Sequence, residues 1–116
     1  GYADMICLRR LKNKGYVLLH GKRAPMVGCV CMDQLMIDVT EIENVAMGDV
    51  ATLIGRDGDE VLTLQEVADR VGTDGYEVLL SNTQRLPIHY WKDGKMIGAL
   101  DIHQTLLSYY ERIYNL

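Results

Sequence analysis

Basic charge is in short supply. Lys and Arg total 12 against 16 acidic residues, a formal net charge of −4 and a pI near 5.2. Nucleic-acid binding needs a basic face, and no Lys/Arg cluster interleaved with aromatics provides one, so no nucleic-acid partner is expected. Cysteine is sparse and odd in number: Cys7, Cys29 and Cys31. They read as reduced thiols rather than a disulfide scaffold. No apolar run approaches the roughly 20 residues of a membrane helix. No signal peptide, internal repeat, low-complexity stretch or linker is visible. Proline occurs only at Pro25 and Pro87. The stretch opens on Gly1-Tyr2-Ala3-Asp4 without a methionine, so it reads as part of a longer protein. Missing targeting signals therefore say little about the parent.

What is present is ordinary globular chemistry. The 116 residues, 48% hydrophobic and 24% charged, suit one domain spanning 1–116 with its own core. Short apolar runs at close spacing, separated by Gly-rich turns, predict strands over Tyr16–His20, Met26–Met32, Leu35–Thr40, Val50–Ile54 and Glu60–Leu62, with a turn over Gly21–Pro25. Asp57-Gly58 is a hairpin signal. Thr63 and Glu66 have capping-box spacing, ahead of an apolar stripe of Leu64, Val67, Ala68 and Val71 that Gly72 would stop. The segment 76–82 fits a short helix or a strand. Leu86–Trp91 and Lys95–Leu100 predict a hairpin about Asp93-Gly94. From Asp101 the period turns helical, with Ile102, Leu106, Tyr109, Tyr110 and Ile113 on one face. The predicted fold class is mainly β: a small β-barrel or sandwich with one inserted short helix and a C-terminal helix.

Particular strings go further. Gly1-Tyr2-Ala3-Asp4 resembles the GYADG motif of alanine racemases. Pro25-Met26-Val27-Gly28-Cys29-Val30-Cys31-Met32-Asp33-Gln34 resembles their PxVGRxCMDQ. Gly48-Asp49-Val50, Leu53-Ile54-Gly55, Thr73-Asp74-Gly75-Tyr76-Glu77 and Arg85-Leu86-Pro87 are similar to further stations in the same order. The likeness runs from Gly1 to about Tyr90.

The resemblance implies the C-terminal β domain of an enzyme whose N-terminal barrel domain carries pyridoxal phosphate (PLP) on a lysine. It implies a homodimer in which each C-terminal domain completes the partner's active site. The implied reaction interconverts L- and D-alanine, with serine as the alternative substrate and D-alanine serving as a peptidoglycan precursor. Racemisation needs one base on each face of the α-carbon. In the family these are the PLP lysine and a tyrosine, both expected upstream of Gly1, so no catalytic base is assigned here and the chain alone is expected to be inactive. The backbone N–H of Met32 matches the position expected to hold the substrate carboxylate; without the motif Met32 would read as a core filler. Asp33 and Cys31 match neighbours that shape the site. Tyr2 and Tyr76 match tyrosines at the substrate entrance, and the Tyr76 hydroxyl is expected to reach the PLP phosphate.

Three positions depart from the family pattern: Met5 for Gly, Cys29 for Arg and Ile88 for Arg. They leave open a second reading, a non-catalytic dimerisation or regulatory module descended from a racemase. Cys29 and Cys31 share one face of an extended segment, but zinc needs about four ligands. No metal site is expected, and His20, His89 and His103 read as scattered strand or surface residues. Gly55–Glu60 lacks the residues of a phosphate loop or an EF-hand. The expected location is cytoplasmic, with a tethered parent left open. No motif covers the tail beyond Tyr90.

Overall fold

In a computed structural model, residues 1–114 are described, with the side chains at 108–112 and 114 outside the description. The chain divides into two compact units, Gly1–Asn82 and Thr83–Leu116. The first begins with a 3-10 turn over Ile6–Leu11, which buries Cys7, Leu8 and Leu11. Strands β1 (Tyr16–Leu19), β2 (Lys22–Val27) and β3 (Met36–Ile37) follow and form an antiparallel sheet in that order. A separate hairpin pairs β4 (Gly55–Asp57) with β5 (Glu60–Leu62). Helices α1 (Leu64–Val71) and α2 (Gly75–Leu80) close the unit. The second unit holds a hairpin of β6 (Ile88–Lys92) and β7 (Lys95–Leu100), then α3 (Ile102–Tyr114).

The mainly-β reading stands, with two inserted helices where one was expected and a C-terminal helix, but the strands do not close into a barrel. The sheets have three, two and two strands. Several boundaries moved. The first hairpin turns on His20 and Gly21, with φ of 51° and 71°, so Leu19 pairs with Lys22 and Gly21–Pro25 is largely strand. Two positive-φ residues are what a two-residue hairpin with the right twist requires. The charged Lys22-Arg23 and the proline hid this strand from a hydrophobic pattern. His20 is held in its left-handed conformation from both ring nitrogens, by Asp49 at 2.9 Å and the Glu43 carbonyl at 3.2 Å.

β2 stops at Val27, not Met32, because Gly28 takes φ +73°. β3 covers only Met36–Ile37 of the expected Leu35–Thr40. The Asp38 carboxylate accepts from the Thr40 N–H at 2.9 Å and its hydroxyl at 2.6 Å, a local turn that competes with the ladder. Those bonds also hold the Asp38 pKa below its ordinary value. Val50–Ile54 is no strand; it contributes one bridge, Thr52 to Leu18. Val50 is 81% exposed, so its apolar character reflects no burial in this chain.

Helix α1 behaves as its sequence dictates. Thr63 Oγ1 accepts from the Glu66 N–H at 3.1 Å, and Val67, Ala68 and Val71 are buried. The Glu66 carboxylate turns to two arginines rather than back to the cap. The ambiguous 76–82 segment is helical over Gly75–Leu80, with Asp74 accepting from the Glu77 N–H at 2.9 Å. Val78 is its one buried side chain, too few for a period to register. α3 starts on Asp101, whose carboxylate accepts from His103 and Gln104 N–H. Leu106 and Ile113 of its predicted apolar face are exposed, and the side chains of Tyr109 and Tyr110 lie outside the description.

One polar cluster ties the sheet to α1. Arg23 donates to both carboxylate oxygens of Glu66, at 2.5 and 3.2 Å, to Glu60 at 3.0 Å and to the Val61 carbonyl at 3.0 Å. Arg70 joins Glu66 at 3.1 Å and lies over the Tyr16 ring at 4.7 Å. The Arg23 hydrogen bond is the main cause that holds the Glu66 pKa below its ordinary value of 4.5, against the opposing effect of burial. A depressed folded pKa stabilises above pH 4.5, and that contribution is lost as pH falls through the folded value. Arg23→Ala is therefore expected to cost about 1–2 kcal/mol at pH 7, since the pair is bidentate yet partly solvent-screened. Urea unfolding of both proteins at pH 7 and pH 3 checks this. The gap between them should shrink at pH 3; a constant gap would assign the effect to packing.

Candidate functional site

Two of the singled-out strings meet through their backbones. The Tyr2 N–H donates to the Cys31 carbonyl and the Ala3 N–H to the Met32 carbonyl, both at 2.9 Å. The Cys31 N–H donates to the Gln34 carbonyl at 2.9 Å, so Met32 and Asp33 form a two-residue tip. The opening segment is itself folded back, the Asp4 N–H donating to the Gly1 carbonyl at 3.1 Å. Gly1 packs so closely that a Cβ there would stand 2.4 Å from the carbonyl oxygens of both Cys31 and Met32. Backbone bonds set the tip regardless of side-chain identity.

Tyr2, Cys31, Met32 and Asp33 are thus brought together. The Met32 side chain is 54% exposed, and Cys31 and Asp33 are exposed beside it. In this chain the Met32 side chain lies outside the core. The Met32 carbonyl is engaged by Ala3, and among the described residues nothing accepts from its N–H. Tyr2 is half-buried against the core, with the Arg9 guanidinium 5.4 Å over its ring.

Tyr76 stands elsewhere, as the second residue of α2, with its ring 81% exposed. It borders a cavity of ≈ 370 Å³ between α1 and α2, which Leu64, Gln65, Asp74, Gly75 and Leu79 also line. Glu77, next in the chain, is fixed by Arg10 at 3.2 Å and by the Thr73 hydroxyl. Met5 pairs with Asn82 in a bridge and packs against the core, so methionine is accommodated there as apolar filling. Cys29 is exposed, and Ile88 opens β6 opposite Leu100. Among the described residues no group of three or more Cys, His, Asp or Glu could hold a metal ion.

Sequence reasoning missed the close approach of Gly1. A glycine that opens a motif was the available signal. It also missed the α1–α2 cavity, whose walls come from two short helices and leave no local pattern.

This arrangement, a β-rich unit with an N-terminal clamp on a C-M-D-Q tip, defines a domain shared with known enzymes. Residues 1–90 match the family described as alanine racemase, C-terminal domain, and the chain belongs to that family. It is 51% identical over 90 residues to the alanine racemase of Carboxydothermus hydrogenoformans, covering 78% of this chain and 24% of that protein. It superposes on the crystal structure of alanine racemase from Bacillus anthracis with bound L-Ala-P, at a TM-score of 0.80 and 39% identity, over 90% of this chain and 26% of that one. It is also similar to alanine racemase from Bartonella henselae with covalently bound pyridoxal phosphate, at a TM-score of 0.62 and 35% identity, over 71% of this chain and 23% of that one. The chain thus spans about a quarter of the length of these relatives. No helix among the described residues is long and apolar enough to cross a membrane.

Proposed function

We propose that, in its full-length protein, this chain completes the active site of a PLP-dependent racemase that interconverts L- and D-alanine, with serine as the alternative substrate. The observation that carries this reading is the backbone clamp of Tyr2 and Ala3 on Cys31 and Met32. It holds the Met32 amide in place, with no described partner of its own. A preorganised N–H donor is a good carboxylate ligand because it needs no reorganisation on binding.

When bound, PLP would supply the electron sink for loss of the α-proton. The residues here fit one contact with it rather than a whole site. Tyr76 offers an exposed hydroxyl, but the adjoining cavity has no cation among its lining residues and carries the Asp74 carboxylate. A phosphate anchored elsewhere could take that hydroxyl as one donor; a phosphate anchored by this chain could not. In this reading the lysine and tyrosine bases are supplied by residues outside the chain. This chain's share is to orient the substrate carboxylate at Met32, to shape the site with Asp33 and Cys31, and to narrow the entrance with Tyr2 and Tyr76. The N-terminal PLP barrel domain is the implied partner within the protein, and a second copy of the whole protein is the partner in the dimer.

The full-length protein, supplied with PLP and L-alanine or L-serine in deuterated water, is expected to exchange the α-proton and yield both enantiomers. The faster substrate identifies the preference. A folded protein that neither takes up PLP nor exchanges would instead establish the non-catalytic module.

A further inference from the structure

Cys29 and Cys31 flank Val30 in a segment outside every strand. Val30 is buried, while both cysteines are exposed free thiols. The exposed–buried–exposed alternation leaves both thiols open to solvent while Val30 anchors the segment below. The two ends are held differently. Cys31 is fixed through its N–H to Gln34 and its carbonyl to Tyr2, both at 2.9 Å. The Cys29 backbone makes no hydrogen bond among the described residues, and Gly28 before it sits at φ +73°. The third thiol, Cys7, is buried in the core. The chain therefore displays a dithiol with one fixed and one adjustable arm.

We infer that Cys29 and Cys31 are a redox modification site, a dithiol that a hydroperoxide converts to a disulfide one residue from Met32. One thiolate attacks the peroxide: an S–O bond forms, the O–O bond breaks, and water leaves from hydrogen peroxide after protonation. The second thiol attacks the resulting sulfenic sulfur: an S–S bond forms, the S–O bond breaks, and a second water leaves. Two thiols and one peroxide become one disulfide and two waters. Residues two apart in a chain stand at most about 7 Å apart at their Cα atoms, near the upper limit of what a disulfide spans. Closure must draw Cys29 toward Cys31, and a bridge under such strain is readily reduced. The pull acts on Cys31, whose carbonyl and N–H hold the tip. The cross-link is a matter of the thiols; its effect on the site rests on the reading of Met32 above.

Hydrogen peroxide treatment of the chain, followed by thiol counting and peptide mapping, is the test. Free thiols should fall from three to one, the mass should drop by two hydrogens, and a single peptide should contain Cys29 joined to Cys31. A dithiol reductant should restore all three. In Cys29→Ser the bridge cannot form, and Cys31 should proceed to oxygen adducts that the reductant does not fully reverse. Oxygen adducts on the unaltered chain without a bridge, or bridges between molecules, would overturn the site. In the full-length protein, peroxide should remove substrate turnover reversibly, and Cys29→Ser should abolish the reversible part. A mapped bridge with unchanged turnover would keep the dithiol and overturn its coupling to Met32. Absence of turnover before any oxidation would fault the racemase reading instead, and the mapping would still decide the bridge.

Discussion

Gly1→Ala in the full-length protein is expected to lower kcat/KM about 100-fold or more, chiefly through KM for the amino acid, while the unfolding midpoint barely moves. The added Cβ would meet the Cys31 and Met32 carbonyl oxygens at 2.4 Å and the Met32 carbonyl carbon at 2.5 Å. All three are backbone atoms, so no rotamer change relieves the clash. The opening segment or the tip must shift by about an ångström, and the Tyr2–Cys31 and Ala3–Met32 bonds lengthen or break. A displacement of that size in a positioning element costs on the order of 100-fold in rate. Met32 and Asp33 lie outside the buried core, and Val30 and Tyr2 keep their core packing if the tip takes up the shift, so stability should survive. Met32→Leu is the informative companion. Its side chain is half exposed and its proposed role is carried by the backbone, so KM should change by less than about threefold. Steady-state kinetics with thermal unfolding on both variants would decide. An unchanged KM in Gly1→Ala would remove the clamp from substrate binding, and a large KM effect in Met32→Leu would move the contact to the side chain.

The same clamp marks where sequence reading succeeds and where it stops. Helix α1 was legible because its cap and stripe are local: Thr63, Glu66, Val67, Ala68 and Val71 each do within one helix what their spacing implies. The Asp93-Gly94 hairpin was legible for the same reason. β2 was misplaced because its start depends on two positive-φ residues, His20 and Gly21, and only the glycine carries a sequence signal. The strand read at Leu35–Thr40 shrank to Met36–Ile37 although Leu35, Ile37 and Val39 still pack against the core, and the one read at Val50–Ile54 did not form. Met36 and Val50 are exposed, and Asp38 prefers its own turn with Thr40. At the site, the strings named the residues but not their geometry. That Tyr2 and Ala3 pair with Cys31 and Met32 is a long-range backbone fact, invisible in side-chain identity. Nor could spacing foresee that Glu66, placed correctly for a capping box, would give its carboxylate to Arg23 and Arg70. An exposed arginine on a distant strand outcompeted the local cap.

Tyr76→Phe is expected to weaken PLP retention about 10–100-fold without unfolding the protein. The substitution keeps the ring and removes one hydroxyl. A hydrogen bond to a charged oxygen contributes roughly 1.5–3 kcal/mol, and 1.4 kcal/mol is a factor of ten. The ring contributes little to this chain's own core, being 81% exposed here, and Val78 holds α2 in place. Equilibrium dialysis of the full-length protein, followed by cofactor absorbance, measures the retained fraction. Leu79→Ala controls for the cavity, because Leu79 lines the same space without a polar atom. Loss confined to Tyr76→Phe identifies the hydroxyl as a phosphate donor. Equal loss in both variants would make the cavity's apolar packing the source of retention, and undiminished retention in Tyr76→Phe would leave Tyr76 as a residue of the entrance only.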